Sequence, residues 1–98
     1  MRKSKYTDYQ WKLIILEYWI SNVNQYELAS KYNISQSVIA YHMTSTTANI
    51  VIEIKNKMEE NNMTFEEARK TCEYPAVFTK RIYSKMNKYI QRRMKDND

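Results

Sequence analysis

Apolar residues of this chain recur mostly at the three- and four-residue spacing of a helix, with polar turns between the apolar segments. Thr7 and Gln10 form a capping-box pattern, which predicts a first helix from Thr7 to about Ser21. Trp11, Ile14 and Tyr18 occupy one face of this helix, while Leu13, Leu16 and Ile20 occupy the opposite face. A helix that is apolar nearly all round should be buried all round, so we expect it to be covered on its second side by the C-terminal helix or a second subunit.

The middle of the chain predicts several shorter helices. A turn over residues 21–24 separates the first helix from a second over Gln25–Tyr32, and a third runs from Ser35 to about Thr44. The run Thr-Ser-Thr-Thr at 44–47 then breaks the pattern. Residues 48–61 fit either a strand or a helix, but the helical stripe continues through Met58 and favours a helix. A β-wing over 48–62 is the alternative.

The remaining sequence predicts two more helices. Thr64 and Glu67 form a second capping box, which opens a short helix to about Cys72. Pro75 suits the first turn of a last helix that runs to roughly Met94. The chain has no glycine and one proline, which disfavours hairpins and excludes glycine-rich nucleotide loops. We therefore predict an all-α fold, a compact domain of about five helices.

The net charge and the small number of cysteine and histidine residues limit the functions that this chain can have. The formal net charge of +5 suits a polyanionic partner such as nucleic acid. One cysteine cannot form an internal disulfide, and no N-terminal apolar run or membrane-spanning stretch is visible, so we expect a cytoplasmic protein with no membrane association. One histidine and one cysteine supply no metal set and no credible nucleophile pair. We expect no enzymatic activity, no metal and no cofactor.

The segment from Gln25 to Thr44 carries the strongest functional signal. Its string QYELASKYNISQSVIAY resembles the helix-turn-helix of bacterial regulators and transposase-type DNA-binding domains. Ala29 is small where the two helices of the motif cross, and Ser35 can cap the second helix. Asn33 stands where the family usually has glycine, and asparagine tolerates the left-handed conformation required there. The resemblance implies that the second helix enters the major groove of duplex DNA.

One face of that second helix is predicted to read base edges. Gln36 can bond adenine bidentately, Ala40 can touch a thymine methyl, and Tyr41 is long enough to reach the backbone. The candidate contact residues of this face are Ser35, Gln36, Ser37, Ala40, Tyr41 and Thr44. Val38, Ile39 and His42 share the other side, where we expect Ile39 to be buried and His42 to be packed or half-buried. Because the face lacks Arg and Lys, we expect little guanine readout and an A·T-rich target.

The last predicted helix holds much of the positive charge and no acidic residue between Pro75 and Lys95. A cationic stripe lies beside its apolar arc and comprises Arg81, Lys85, Lys88, Arg92 and Lys95. Such a stripe repels itself unless phosphates neutralise it, although a solvated surface face remains the alternative. Arg2 and Lys3 of the N-terminal arm are candidates for an adjacent minor groove.

The layout over roughly residues 7–95 is also similar to small sporulation regulators of the stage III sporulation protein D family. This resemblance implies a sequence-specific transcription factor whose C-terminal basic region adds DNA contacts. We divide the chain into a basic arm (1–6), a helix-turn-helix region (7–47) and a helical support region (48–98) of the same domain. Affinity would require a homodimer or a second contact region.

Two other functions stay open. The composition, rich in Asn, Lys, Ile and Tyr, resembles that of A·T-rich plasmids and phages, where an accessory DNA-binding protein would serve replication, segregation or conjugative transfer. A protein–protein interaction module, docking through the apolar first helix and the last helix, is the alternative from a different class.

Overall fold

The computed structural model describes the backbone of residues 6–96 and the side chains of residues 6–93. The helices are α1 (Asp8–Ser21), α2 (Gln25–Tyr32), α3 (Gln36–Glu60), α4 (Phe65–Thr71) and α5 (Lys80–Asp96). This part of the chain contains no strand, so the all-α prediction is confirmed and the β-wing alternative at 48–62 is wrong. None of its helices combines the length and apolarity needed to cross a membrane.

Side-chain caps define where the first, second and fourth helices begin. Reciprocal capping boxes join Thr7 to Gln10, Asn24 to Glu27 and Thr64 to Glu67. In each box the side chain of the cap residue accepts from the backbone N–H three residues later, and that later side chain accepts from the N–H of the cap. The first and third boxes are confirmed predictions, whereas the Asn24 box was not identified from the sequence.

The third helix is one uninterrupted element of 25 residues, so the predicted break at 44–47 is wrong. Threonine is a poor helix former, at a cost of roughly 0.5 kcal/mol relative to alanine. Here the hydroxyl groups have tertiary partners: Thr47 is fully buried and accepts a hydrogen bond of 3.2 Å from the indole N–H of Trp19 in α1. Thr44 shares a hydrogen bond of 3.1 Å with the hydroxyl of Tyr89 in α5. Contacts with neighbouring helices therefore override the local preference.

Two hydrophobic clusters lie along α3. The first cluster joins α1 and α2 to the N-terminal half of α3 and comprises Trp11, Ile14, Ile15, Leu28, Ala29, Ile39 and Met43. The second joins α1, the later part of α3, α4, the segment between α4 and α5, and α5, and comprises Leu16, Ile50, Val51, Ile54, Phe65, Ala68, Tyr74, Phe78, Tyr83 and Met86. Helix α3 supplies residues to both clusters and therefore connects them.

Helix α1 lies between these clusters, as its apolar circumference predicts. It contacts α2, α3 and α5, and the rings of Trp19 and Tyr89 meet edge-on with their centroids 5.4 Å apart. The C-terminal helix therefore covers part of the second side of α1. Leu13 and Ile20 on that side remain half-buried, so the expectation of complete burial is too strong.

Residues 72–79 connect α4 to α5, and Pro75 lies in this connection rather than in the first turn of the last helix. The guanidinium of Arg69 donates to the carbonyl of Tyr74 at 2.9 Å, which fixes the chain just before the proline. Tyr74 and Phe78 are both buried, with their rings 5.8 Å apart. This turn brings both rings into one cluster, and α5 begins only after Thr79, whose hydroxyl accepts from the N–H of Ile82.

The connection between α2 and α3 is short and left-handed at one residue. Asn33 has φ 54° and ψ 48°, and the N–H of Ile34 donates to the carbonyl of Ala29 at 2.9 Å. Ser35 then caps α3. The left-handed conformation expected of Asn33 is confirmed, and it ends α2 and turns the chain towards α3.

The left-handed backbone at Asn33 generates a stability prediction. Asn33→Ala should lower the free energy of unfolding by about 1 kcal/mol, because a Cβ-bearing residue without a helpful polar side chain disfavours positive φ. The matched variant Asn49→Ala, exposed within α3, should instead gain up to about 0.5 kcal/mol of stability, because alanine is the better helix former. Urea unfolding of both variants measures this. Equal changes of the same sign would contradict the assignment.

Candidate nucleic-acid interface

The first four turns of α3 present an uncharged surface. From Gln36 to Ile52 the sequence contains no Asp, Glu, Lys or Arg. Its open side, which we call the reader face, comprises the exposed residues Ser37, Val38, Ala40, Tyr41 and Ser45. Tyr41 is the most exposed of the large hydrophobic residues of this helix, at 78%. Val38 was predicted to lie on the side away from the contact face, but it is 38% exposed and extends the reader face.

The first residues of α3 are already engaged in hydrogen bonds. The Ser35 hydroxyl accepts from the N–H of Val38 at 3.4 Å and lies 3.2 Å from the hydroxyl of Ser37. The amide nitrogen of Gln36 donates to the amide oxygen of Gln25, the first residue of α2, at 2.7 Å. Ser35 therefore has a structural role, while Ser37, Ala40 and Tyr41 leave their outer surfaces open to solvent.

Thr44 marks the point where α5 meets the reader face. Its hydroxyl is half-buried between Tyr89 and Arg93, and Arg93 Nε donates to it at 3.4 Å. The Arg93 guanidinium also lies 5.7 Å from the centroid of the Tyr89 ring. Thr44, predicted as a DNA contact, thus joins two helices and positions a cation at the edge of the reader face.

Sequence reasoning left Arg93 out of the candidate contacts because it lies outside the cationic stripe on the helical wheel. The signal that identifies it is its position four residues after Tyr89, a spacing that brings two side chains together on one helix. Tyr89 contacts both Trp19 and Thr44, so the residue four positions later, Arg93, also lies towards α3.

The cationic stripe of α5 is open to solvent. Arg81, Lys85, Lys88 and Arg92 are all exposed. The ion pairs among residues 6–93 are Lys12–Glu53, Lys31–Glu17 and Arg69–Glu66, so none neutralises this stripe. The side chain of Lys95 and the arm residues Arg2 and Lys3 lie outside the described residues. Four of the predicted stripe residues therefore form one uncompensated surface.

A cleft of about 270 Å³ separates α1 from α3 behind Tyr41. Within it the His42 ring stacks on Trp11, with centroids 3.8 Å apart and an interplanar angle of 14°. Burial lowers the pKa of His42, and the nearby Asp8 carboxylate opposes this only in part. His42 is therefore a neutral packing residue at pH 7, as expected from the sequence.

The other polar groups in the interior join helices together. Glu53 accepts hydrogen bonds from Tyr74 at 2.5 Å and from Lys12 at 3.2 Å, which links α1, α3 and the α4–α5 connection. Burial, with Glu53 nearby, raises the pKa of the Cys72 thiol to about 11, so this cysteine is not an activated nucleophile. Among the residues described, no three His, Cys, Asp or Glu side chains are grouped to hold a metal ion.

No protein-family model, curated protein or solved structure matches this chain. The reader face on α3 and the cationic stripe on α5 lie on two helices that are joined through Thr44, Tyr89 and Arg93.

The buried, neutral state of His42 predicts how stability depends on pH. Because folding lowers the His42 pKa below its ordinary 6.5, the unfolded chain binds a proton more readily, and the free energy of unfolding should fall as pH drops below about 6.5. The free energy of unfolding should stop falling once the pH is below the pKa of His42 in the folded protein. Unfolding by urea at closely spaced pH values between neutral and mildly acidic measures this slope.

His42→Gln is the control, because His42 is the chain's one histidine and glutamine does not titrate. Burial opposes the ionisation of Glu17 and Glu53, but their hydrogen bonds outweigh burial and lower the pKa of both groups. Their effect on the free energy of unfolding is therefore confined to pH values below about 4.5. A slope near pH 6 that persists in His42→Gln would contradict the assignment.

Proposed function

We propose that this protein binds duplex DNA sequence-specifically, with α2 and α3 acting as a helix-turn-helix and α5 contacting phosphates. The observation that carries the proposal is the junction of Thr44, Tyr89 and Arg93, where the uncharged reader face adjoins a helix whose exposed cations have no carboxylate partner among residues 6–93. This combination suits one surface that reads bases with one part and binds phosphates with the other.

The reader face has the size and chemistry for the major groove. A helix with its side chains is about 10–12 Å across, and the groove is about 12 Å wide. Ser37 can bond a base edge or phosphate, Ala40 can touch a thymine methyl, and the open hydroxyl of Tyr41 can reach the backbone. The absence of cations among these residues favours A·T-rich sites over runs of G·C pairs.

Affinity comes from the other surface in this proposal. Arg81, Lys85, Lys88 and Arg92 repel each other along α5, and phosphates would remove that repulsion. Arg93, held over Tyr89 beside Thr44, supplies positive charge next to the groove-facing helix. A single chain thus has both a reading surface and a phosphate-binding surface, and the role that we propose for it is transcriptional regulation.

The cationic stripe sets the salt dependence of binding. Lys85→Gln/Lys88→Gln should weaken binding to all duplexes alike and reduce the slope of log affinity against log salt by roughly 0.9 for each lost phosphate contact. The control Lys55→Gln/Lys70→Gln removes the same charge from exposed residues of α3 and α4 and should change the slope little. Mobility-shift titrations over a salt series measure both. Identical slopes for the two double variants would count against a phosphate-binding role for α5.

A negative charge on the reader face should abolish recognition. Ala40 is exposed, so Ala40→Glu should leave the fold intact but reduce specific affinity by about 100-fold or more, since a buried carboxylate would face the acceptors and phosphates of the groove. Asn56→Glu, exposed on the same helix but about 24 Å further along it, is the control. Equal losses in both variants would indicate a general charge effect and would refute groove insertion by this face.

A further inference from the structure

The cleft behind Tyr41 is lined by one stripe of side chains from each of two helices. The α1 wall consists of Asp8, Trp11 and Lys12. The α3 wall consists of Tyr41, His42, Ser45, Thr46 and Asn49. Within each wall the residues follow one another at the three- and four-residue spacing that places side chains on one helix face. The volume of about 270 Å³ is slightly below the roughly 300–1,000 Å³ of sites for drug-sized ligands, so the cleft suits a smaller molecule.

Several polar groups of the cleft have no partner within the described part of the chain. Among those residues, the side chains of Asp8, Ser45 and Asn49 make no hydrogen bond and no ion pair. The hydroxyl of the buried Thr46 lies 3.4 Å from Nδ1 of His42, which leaves the imidazole Nε2 without a hydrogen bond to the same set of residues. Polar groups that converge on one concave surface are typical of a ligand site, because they can fix the orientation of a bound molecule.

The charges that line the cleft sum to a negative value, although the chain as a whole carries a net charge of +5. Nζ of Lys12 lies 3.2 Å from the carboxylate of Glu53, so the charges of this pair cancel. His42 is neutral at pH 7, because burial lowers its pKa. The Asp8 carboxylate, which acts on the His42 ring across the cleft, therefore has no counter-charge among the described residues, and the cleft attracts a cation.

A primary ammonium group matches the hydrogen-bonding groups of this cleft. It has three N–H donors and no acceptor, and the carboxylate of Asp8, the hydroxyl of Ser45 and the amide oxygen of Asn49 are all acceptors. The rings of Tyr41 and His42 meet edge-on with centroids 5.3 Å apart, and they offer an apolar wall to a short hydrocarbon chain. The face of the Tyr41 ring also attracts positive charge.

We propose that this cleft binds a small primary alkylamine in its protonated form, with Asp8 as the residue that holds the ammonium group. The inference goes beyond the proposed function, because it concerns the protein without DNA. Tyr41 and Ser45 line the cleft and also belong to the reader face, so the bound amine lies at the edge of that face.

The test compares three molecules that share a four-carbon chain but differ in charge: n-butylamine, n-butanol and butyrate. Each is titrated into the intact chain at pH 7 and constant ionic strength, where butylamine is protonated as lysine is. The readout is the NMR signal of the His42 imidazole, which is unambiguous because the chain has one histidine. Butylamine should shift this signal saturably, whereas butanol and butyrate at the same concentrations should not.

Two variants and a control locate the binding site. Asp8→Asn keeps the shape of the side chain but removes its charge, and it should weaken butylamine binding by about tenfold or more. Asn49→Ala removes one neutral acceptor and should weaken binding by roughly two- to tenfold. Glu60→Gln removes a negative charge from an exposed residue about 16 Å further along α3 than Asn49, and it should bind butylamine as wild type does. Thermal unfolding monitored by circular dichroism confirms that each variant is folded.

A fourth ligand distinguishes a free amine from a lysine side chain of another protein. Nα-acetyl-lysine N-methylamide carries the same aminobutyl group on a peptide backbone, and it should bind no more tightly than butylamine. Tighter binding of this lysine derivative would assign the cleft to a protein partner and would overturn the proposal of a free amine.

The other contrary results have separate meanings. If butylamine gives no saturable shift, the cleft is not an amine site. Equal shifts with butanol would indicate an apolar site, and a preference for butyrate would indicate that Lys12 rather than Asp8 sets the charge of the cleft. Equal losses in Asp8→Asn and Glu60→Gln would indicate a general effect of charge. Each of these results overturns the amine site and leaves DNA binding, which the salt series measures, unaffected.

Discussion

The continuity of α3 through its threonine-rich middle is the constraint on which the rest of the fold depends. Thr47 and Thr44 exchange hydrogen bonds with Trp19 of α1 and Tyr89 of α5, so the segment with the weakest helical preference is also the segment held from two sides. A helix of 25 residues spans roughly 37 Å, close to the longest dimension of the molecule, 38 Å. A break here would interrupt the helix that supplies residues to both clusters and that meets α5 at Thr44.

The molecule keeps its uncharged helical surface and its exposed cations on different helices. Through Ile52, α3 carries no formal charge, whereas α5 carries exposed cations with no paired carboxylate within the described residues. An uncharged helix can approach base edges without paying to desolvate ions, and a cationic helix attracts any duplex without selecting its sequence. In the proposed function, the contact of Arg93 with Thr44 determines how these two properties are combined in space.

Local signals in the sequence predicted the parts of the fold that local interactions determine. The capping boxes at Thr7 and Thr64 and the left-handed Asn33 need only their neighbours in sequence, and all three are confirmed. The break at 44–47 was wrong because the partners of the threonines lie on other helices. Pro75 was misplaced for the same kind of reason, since the position of the last helix depends on Arg69 holding the carbonyl of Tyr74.

At the candidate site, too, local features were predictable from the sequence and contacts between helices were not. The order of the helices and the exposure of Tyr41 and Ala40 follow from the helical period, which a sequence displays directly. Val38 was grouped with Ile39 and His42 on the side opposite the contact face, yet it is exposed. The contacts of Arg93 with Thr44 and of Gln25 with Gln36 depend on which helices touch, and the period of a single helix does not contain that information.

The left-handed residues of this chain have a further consequence for its unfolded state. Positive φ occurs at Asn22, Asn33, Asn62 and Glu73, positions where many proteins use glycine. Each side chain adds some strain to the folded backbone but also restricts the unfolded chain, so less conformational entropy is lost on folding than at a glycine. At Glu73 the carbonyl accepts a hydrogen bond of 2.7 Å from Tyr9 of α1, which helps hold the strained residue. In a chain without glycine, forming these turns therefore adds strain to the native state. The loss of backbone entropy on folding is correspondingly smaller, because the unfolded chain has fewer conformations.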